Sequence, residues 1–304
     1  MKPFRGIFGI LAAPYNEDGS LRPEDIRREV DFCVQCGAHG LVVPVMASEF
    51  FLLTEGERKL FLKTAAEQNS GRLPLIAGVS GTSTFEAVQF AAFAREVGAD
   101  AVIALPPYML HFAGPELHEY FSRVAAAADG LPVFLQNLTA PIGTPIAPEQ
   151  CIELVKKIDS VKYVKEETQF SGHTIPRILK LAEELPEGSF CGVMGGKGCK
   201  YMPDEHERGT CGGMPACEWV DLLAQAWDLF DAGKREEGIE LFYKIAPLID
   251  YELQYGASVY KEILHYRGVF KTKVSRFPKY WEMDDHDRKK LIHLFNTMSP
   301  YLRA

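Results

Sequence analysis

Lys165 closes a short alternating stretch, Val161 to Lys165, within Ser160-Val-Lys-Tyr-Val-Lys-Glu-Glu-Thr168. Strand parity sends Val161, Tyr163 and Lys165 to one face and Lys162 and Val164 to the other. A lysine on the side of an aromatic and a branched residue is poorly solvated or paired. Desolvation lowers an amine's pKa and gives it free-base character, the state that attacks a carbonyl to form a Schiff base. Such an imine turns a 2-oxo acid into an electron sink. A proton or an aldehyde can then leave C3, and the resulting enamine can expel a C4 hydroxyl. Glu167 shares the parity of Lys165 if the strand runs on, and Glu49 stands in Val45-Met-Ala-Ser-Glu49; either carboxyl can move protons, and either can instead cap a helix or lie in a buried ion pair. Gln136 can orient a hydroxyl or a water but cannot act as an acid.

Short apolar runs alternating with amphipathic segments supply the frame for these residues. Candidate strands are Gly6 to Ala13, Gly40 to Val45, Leu75 to Val79, Ala101 to Leu105, Val133 to Gln136, Val161 to Lys165, Ser189 to Met194 and Thr210 to Met214. Helical patterns lie between them, from Pro23 to Cys36 through Ile175 to Leu185, where Thr174-Ile-Pro176 reads as the last helix's start. Thr54 with Glu57 reads as a capping box, and Ser83 or Thr84 as a cap for the helix after it. Strands this apolar are covered on both faces, which means parallel strands with crossover helices. Eight such units favour a closed (β/α)8 TIM barrel over 1–232; an open doubly wound sheet is the alternative, and it lacks a Gly-x-Gly-x-x-Gly after the first strand. From 233 to 304 only helical patterns follow, a C-terminal helical extension.

A barrel places its chemistry at the carboxyl ends of its strands. Lys165 then shares a rim with Met46, Ala47 and Ser48, whose backbone N–H groups can hold a substrate carboxylate. Tyr108, Asn137, Gly195, Gly196 and Lys197 are further candidates for substrate binding. Lys197 can meet a sugar hydroxyl or carboxylate, or remain a solvated loop lysine; Tyr108 can pack against the pocket or offer its hydroxyl.

Composition excludes several classes. The chain has 304 residues, 47% of them hydrophobic, with a formal charge of -8, and no basic run interleaved with aromatics, so a nucleic-acid surface is not expected. Ile7 to Ala13 is too short to span a bilayer, so no membrane association is expected either. Seven cysteines scattered over a long chain suit a reducing cytoplasm. Cys33 and Cys36 continue a helical pattern, and Cys191, Cys199, Cys211 and Cys217 lack a zinc-knuckle spacing. Neither a metal nor a cofactor is expected.

The chain resembles the dihydrodipicolinate synthase and N-acetylneuraminate lyase family of Schiff-base barrels. The likeness runs through Gly9-Ile-Leu-Ala-Ala-Pro14, Ala77-Gly-Val-Ser-Gly81, Gly98-Ala-Asp-Ala-Val-Ile-Ala-Leu-Pro-Pro-Tyr108 and the Val-Lys-Glu around Lys165. It implies that Lys165 forms the imine, that the substrate is a small 2-oxo acid, and that the protein is a homo-oligomer, commonly a tetramer. The departures matter too. Met46 stands where the family's loop has its first threonine, Gln136 replaces the relay tyrosine, Met109 the tyrosine after Pro-Pro-Tyr, and Pro141 the arginine that grips a second carboxylate. These point away from lysine biosynthesis and sialic acid cleavage. They are similar to the 2-keto-3-deoxy-pentonate dehydratase subgroup typified by the L-2-keto-3-deoxyarabonate enzyme, in Met46-Ala-Ser-Glu49, in the glutamine, in Glu207-Arg-Gly209 and in Pro247-Leu-Ile-Asp-Tyr-Glu-Leu-Gln-Tyr-Gly256. The expected activity is dehydration of a 2-keto-3-deoxy sugar acid. Retro-aldol release of pyruvate and a non-catalytic 2-oxo acid binding barrel are the alternatives.

Overall fold

The computed structural model describes residues 4–139 and 144–304. Pro141 lies outside the described residues. Eight parallel strands close into a barrel in chain order: β1 (Gly6–Ile10), β2 (Gly40–Val43), β3 (Leu75–Gly78), β4 (Ala101–Ala104), β5 (Val133–Leu138), β6 (Val161–Glu167), β7 (Gly192–Gly195) and β8 (Gly212–Gly213). The crossover helices are α1 (Pro23–Gln35), α2 (Glu55–Asn69), α3 (Thr84–Glu96), α4 (Gly114–Ala128), α5 (Pro148–Lys157), α6 (Ser171–Ala182), α7 (Met202–Glu207) and α8 (Val220–Asp231). After them come α9 (Arg235–Tyr255), α10 (Ala257–Tyr266) and α11 (Asp285–Asn296). The (β/α)8 barrel with a C-terminal helical extension is thus the architecture observed.

The expected local chemistry is present. Every residue of β1 through β4 is buried, as strands covered on both faces must be. Thr54 accepts the Glu57 N–H at 3.2 Å while the Glu57 carboxylate accepts the Thr54 N–H at 2.9 Å, closing the capping box. Ser83 accepts from Glu86 N–H at 3.2 Å. Cys33 lies on the buried face of α1 with Ile26 and Val30, where it packs as a small apolar group.

Several boundaries differ from expectation. The β5–β6 ladder continues through Asn137↔Glu166 and Leu138↔Glu167, so β6 carries Glu167 as a strand residue. β8 contracts to Gly212–Gly213, although the Cys211 N–H still donates to Val193 O at 2.8 Å. α6 opens at Ser171 and keeps Pro176 inside, because Ser171 is anchored by a buried hydrogen bond to Glu205.

The chain forms two compact units. One comprises Pro74–Gly196 and Asp204–Gly213 with the start of the chain up to Arg5; the other comprises Gly6–Leu73, Lys197–Pro203 and Met214–Ala304. The C-terminal helices therefore cluster with the first two strand–helix repeats. In the first unit the barrel interior is layered. Phe134 and Tyr163 stack with ring centroids 4.3 Å apart, and the Tyr163 hydroxyl accepts the Phe4 N–H at 3.1 Å. Burying each ring contributes about 1.5–3 kcal/mol. The next inward positions on these two strands are Gln136 and Lys165, which are register partners.

Among the described residues, no helix is long and apolar enough to cross a membrane, and no group of three or more His, Cys, Asp and Glu side chains is placed to hold a metal ion.

Candidate active site

Lys165 projects from the last part of β6 and is 1% exposed. Its Nζ lies 3.0 Å from Glu167 Oε1, two residues on and on the same face. Gln136 Nε2 donates to that same Oε1 at 2.8 Å. One carboxylate oxygen thus receives an amine and an amide at once, and the amide holds the carboxylate at hydrogen-bond distance from the amine. Proton exchange with an amine needs that geometry before it needs a matched pKa. Gly196, just past β7, completes the seat. A Cβ there would fall well under 3.0 Å from Glu167 Oε2, Cγ and Cδ, so only glycine leaves room for the carboxylate.

The opposite face of the same two strands is structural. Asn137 Nδ2 donates to Glu166 Oε2 and to Ile146 O, both at 2.8 Å, while its Oδ1 accepts the Ile146 N–H at 2.8 Å. Asn137 was expected to contact substrate; alternation turns it away from Lys165, and its amide braces the strand-to-loop connection instead. Glu166 also accepts from the Thr168 N–H at 2.8 Å and from the Thr168 hydroxyl. Burial raises its pKa, and the Thr168 and Asn137 hydrogen bonds oppose that rise. Gly195 faces this side too, next to the carboxyl of Glu205 on α7.

In the other unit, β2 runs into a 3₁₀ turn, Met46–Ser48. Its internal bonds use the amides of Ser48 (to Val45 O, 2.9 Å) and Glu49 (to Met46 O, 2.9 Å), and Ser48 Oγ accepts the Val45 N–H at 3.1 Å. The amides of Met46 and Ala47 take no part in these bonds. Glu49 follows in the left-handed region with φ 58, and its Oε1 lies 2.8 Å from Lys261 Nζ on α10, each side chain 1% exposed. Lys261 also donates to Ala13 O at 2.8 Å and stands 4.1 Å from the Tyr15 ring centroid. Burial pushes the Glu49 pKa up and the Lys261 pKa down, each opposed by the other's charge. Glu49 is therefore engaged as an ion-pair partner, whereas Glu167 is the carboxylate in contact with Lys165.

Of the remaining expected residues, Lys197 is half-buried in a 3₁₀ turn, Lys197–Cys199, at φ 51. Tyr108 is half-buried between β4 and α4, beside exposed Met109 and Leu110. Sequence reasoning missed Lys261 and Glu205. Lys261 had a signal, a lone lysine at helical spacing between Ala257 and Leu264, both of which are buried.

The dihydrodipicolinate synthetase family model matches residues 3–297. L-2-keto-3-deoxyarabonate dehydratase of Azospirillum brasilense is 27% identical over 300 residues, covering 97% of this chain and 95% of that one. A probable 2-dehydro-3-deoxy-D-pentonate aldolase of Escherichia coli K12 is 30% identical over 193 residues, 63% of this chain and 64% of that one. Among solved structures, dihydrodipicolinate synthase from Rhodopseudomonas palustris superposes with a TM-score of 0.87 at 25% identity, covering 96% of this chain and 97% of that one. A match along nearly the whole length, on a closed barrel whose sixth strand carries a buried lysine near its end, makes the chain a member of the dihydrodipicolinate synthetase family, and with it a class I, Schiff-base-forming lyase or aldolase.

Proposed function

We propose that the protein dehydrates a 2-keto-3-deoxy sugar acid of the pentonate class, with Lys165 as the imine-forming nucleophile and Glu167 as its proton carrier. The observation that carries this reading is the Lys165 Nζ to Glu167 Oε1 approach of 3.0 Å, with Gln136 holding the same oxygen at 2.8 Å. Lys165 attacks C2 as the free amine, and the C2 oxygen leaves as water, forming the iminium. Glu167 takes a proton from C3, and the electron pair of that bond moves into the enamine. The enamine then expels the C4 hydroxyl, which leaves as water with the proton that Glu167 returns. The C3=C4 double bond then shifts toward C5 as a proton leaves C5 and another adds at C3, the resulting C4=C5 enol tautomerises to the aldehyde, and hydrolysis of the imine frees Lys165.

A carboxyl beside the imine-forming amine suits elimination, because one group can serve first as base and then as acid. The likeness to the Azospirillum dehydratase supports dehydration, since it spans 97% of the chain. The likeness to the probable Escherichia coli aldolase favours a second reading, cleavage of C3–C4 to pyruvate and an aldehyde. Product analysis separates them: on a 2-keto-3-deoxypentonate, dehydration gives a semialdehyde of the 2-oxo acid with no pyruvate, and stoichiometric pyruvate would refute it.

A further inference from the structure

Two of the seven cysteines stand apart from the rest. Cys191 is exposed and Cys211 is half-buried, whereas the other five are buried. Each stands directly ahead of a strand and directly before a glycine, Cys191 before β7 at Gly192 and Cys211 before β8 at Gly212. These two strands are paired neighbours in the barrel. Both thiols therefore lie at the amino ends of the strands, away from the carboxyl end of β6 that carries Lys165.

Gly192 brings the pair together. Its φ of 145 is one that glycine favours, and a Cβ there would fall 2.8 Å from Cys211 Sγ and 3.1 Å from Cys211 Cβ. Cys211 thus packs against bare backbone one residue from Cys191. The two thiols also converge on one hydroxyl. Tyr163 accepts the Phe4 N–H at 3.1 Å, has Cys191 within hydrogen-bonding reach, and feels the charge of either thiolate. Burial raises the Tyr163 pKa; the Phe4 bond opposes this, and Cys191 and Cys211 add to it. Burial also pushes the Cys211 thiol up to about 12, with a backbone hydrogen bond and Arg5 opposing and Cys191 adding. The Cys211 thiol donates to Val193 O at 3.3 Å. Cys211 is thus held as the thiol, and exposed Cys191 is the member that a dissolved oxidant meets first.

We propose that Cys191 and Cys211 form a redox-active pair, which a peroxide oxidises to a disulfide that clasps the amino ends of β7 and β8. A disulfide spans Cα atoms ~4.4–6.8 Å apart, and neighbouring strands run ~4.8 Å apart. Cysteines at the ends of β7 and β8, with one sulfur against the backbone beside the other, are within that range. The Cys191 thiolate attacks one oxygen of hydrogen peroxide; an S–O bond forms, the O–O bond breaks, and the hydroxide released leaves as water, giving a sulfenic acid. Cys211 sulfur then attacks Cys191 sulfur, the S–S bond forms, and the sulfenic oxygen departs as water with the Cys211 proton. Two thiols and one peroxide become one disulfide and two waters. The sulfurs lose two electrons and the peroxide gains them, and a small dithiol reverses the bond by exchange.

Brief treatment of the whole protein with hydrogen peroxide, followed by iodoacetamide, intact mass and non-reducing peptide mapping, tests this. The wild type is expected to lose the mass of two hydrogens and to yield a peptide pair joined through Cys191 and Cys211, with Tm raised by several degrees and restored by dithiothreitol. Cys191→Ser is expected to give no cross-link, and Cys211→Ser to leave Cys191 as a sulfenic acid that dimedone labels. The wild-type map decides the question if either variant does not fold. Oxidation of Cys191 to the sulfinic or sulfonic acid beside an alkylated Cys211 overturns the proposal, as does a disulfide between the Cys191 residues of two chains. A cross-link that forms with Tm unchanged or lowered overturns the clasp.

Discussion

Lys261→Met removes the amine from the most deeply buried ion pair beside the 46–48 turn. The Glu49 carboxylate and the Lys261 amine are each 1% exposed and 2.8 Å apart, so the variant strands a carboxylate with no contacting cation. Breaking one side of such a pair costs about 3–5 kcal/mol. Glu49 offsets part of that by taking up a proton, because burial already holds its pKa high; the expected loss is about 3 kcal/mol at pH 8. At roughly 2–4 °C per kcal/mol for a chain of this size, Tm falls by roughly 6–12 °C. The sign with pH follows from linkage. A carboxyl whose folded pKa is raised stabilises the fold fully below its unfolded pKa, and that contribution is lost as pH rises through the folded value. The deficit therefore shrinks at pH 5. Glu49→Met combined with Lys261→Met removes both charges and recovers most of the loss, since apolar replacements of buried pairs are neutral or stabilising by about 1–4 kcal/mol. Thermal and urea unfolding of the three proteins at pH 5 and 8 measure this. A single-variant loss under about 1 kcal/mol at pH 8, or a double variant less stable than the single, refutes the argument.

Gly196→Ala pushes Glu167 off its seat between Lys165 and Gln136, so turnover drops by on the order of 10²-fold while covalent trapping at Lys165 persists; turnover within threefold of wild type would count against the seat. Glu252 on α9 and Glu29 on α1 are buried carboxyls raised to about 8, chiefly by burial. The folded state keeps protons that the unfolded chain loses above its ordinary carboxyl pKa, so these groups make stability fall as pH rises from about 5 to 8, by up to about 1.4 kcal/mol per pH unit for each proton. Glu252→Gln flattens that decline in a Tm-versus-pH series, and curves parallel to wild type would show that Glu252 does not titrate there.

The barrel was legible because strands covered on both faces read as apolar runs, and Lys165 because strand parity put it beside Tyr163. Glu167 was legible only as a conditional. Its placement depended on β6 running two residues past Lys165, which the ladder to Asn137 and Leu138 decides. Glu49 illustrates the opposite case: proton carrier and ion-pair partner look alike until α10 delivers Lys261 from far along the chain. Gly195 and Gly196 read as a turn suited to a substrate, whereas their smallness is required by two carboxyls arriving from β6 and α7. Asn137 carried no mark of which face it would occupy, because the expected strand stopped at Gln136. The clustering of the C-terminal helices with the first two repeats is likewise a long-range outcome, and local periodicity carries no information about it.

The central claim is that Lys165 is the covalent nucleophile. Incubation with pyruvate or a 2-keto-3-deoxypentonate in the presence of borohydride, followed by intact mass and peptide mapping, tests it most directly. The account predicts one reduced adduct per chain, located on Lys165 and absent from Lys165→Ala, with Glu167→Gln still trapped but slow in turnover. No adduct on the wild-type protein, or an adduct that persists in Lys165→Ala, would contradict it.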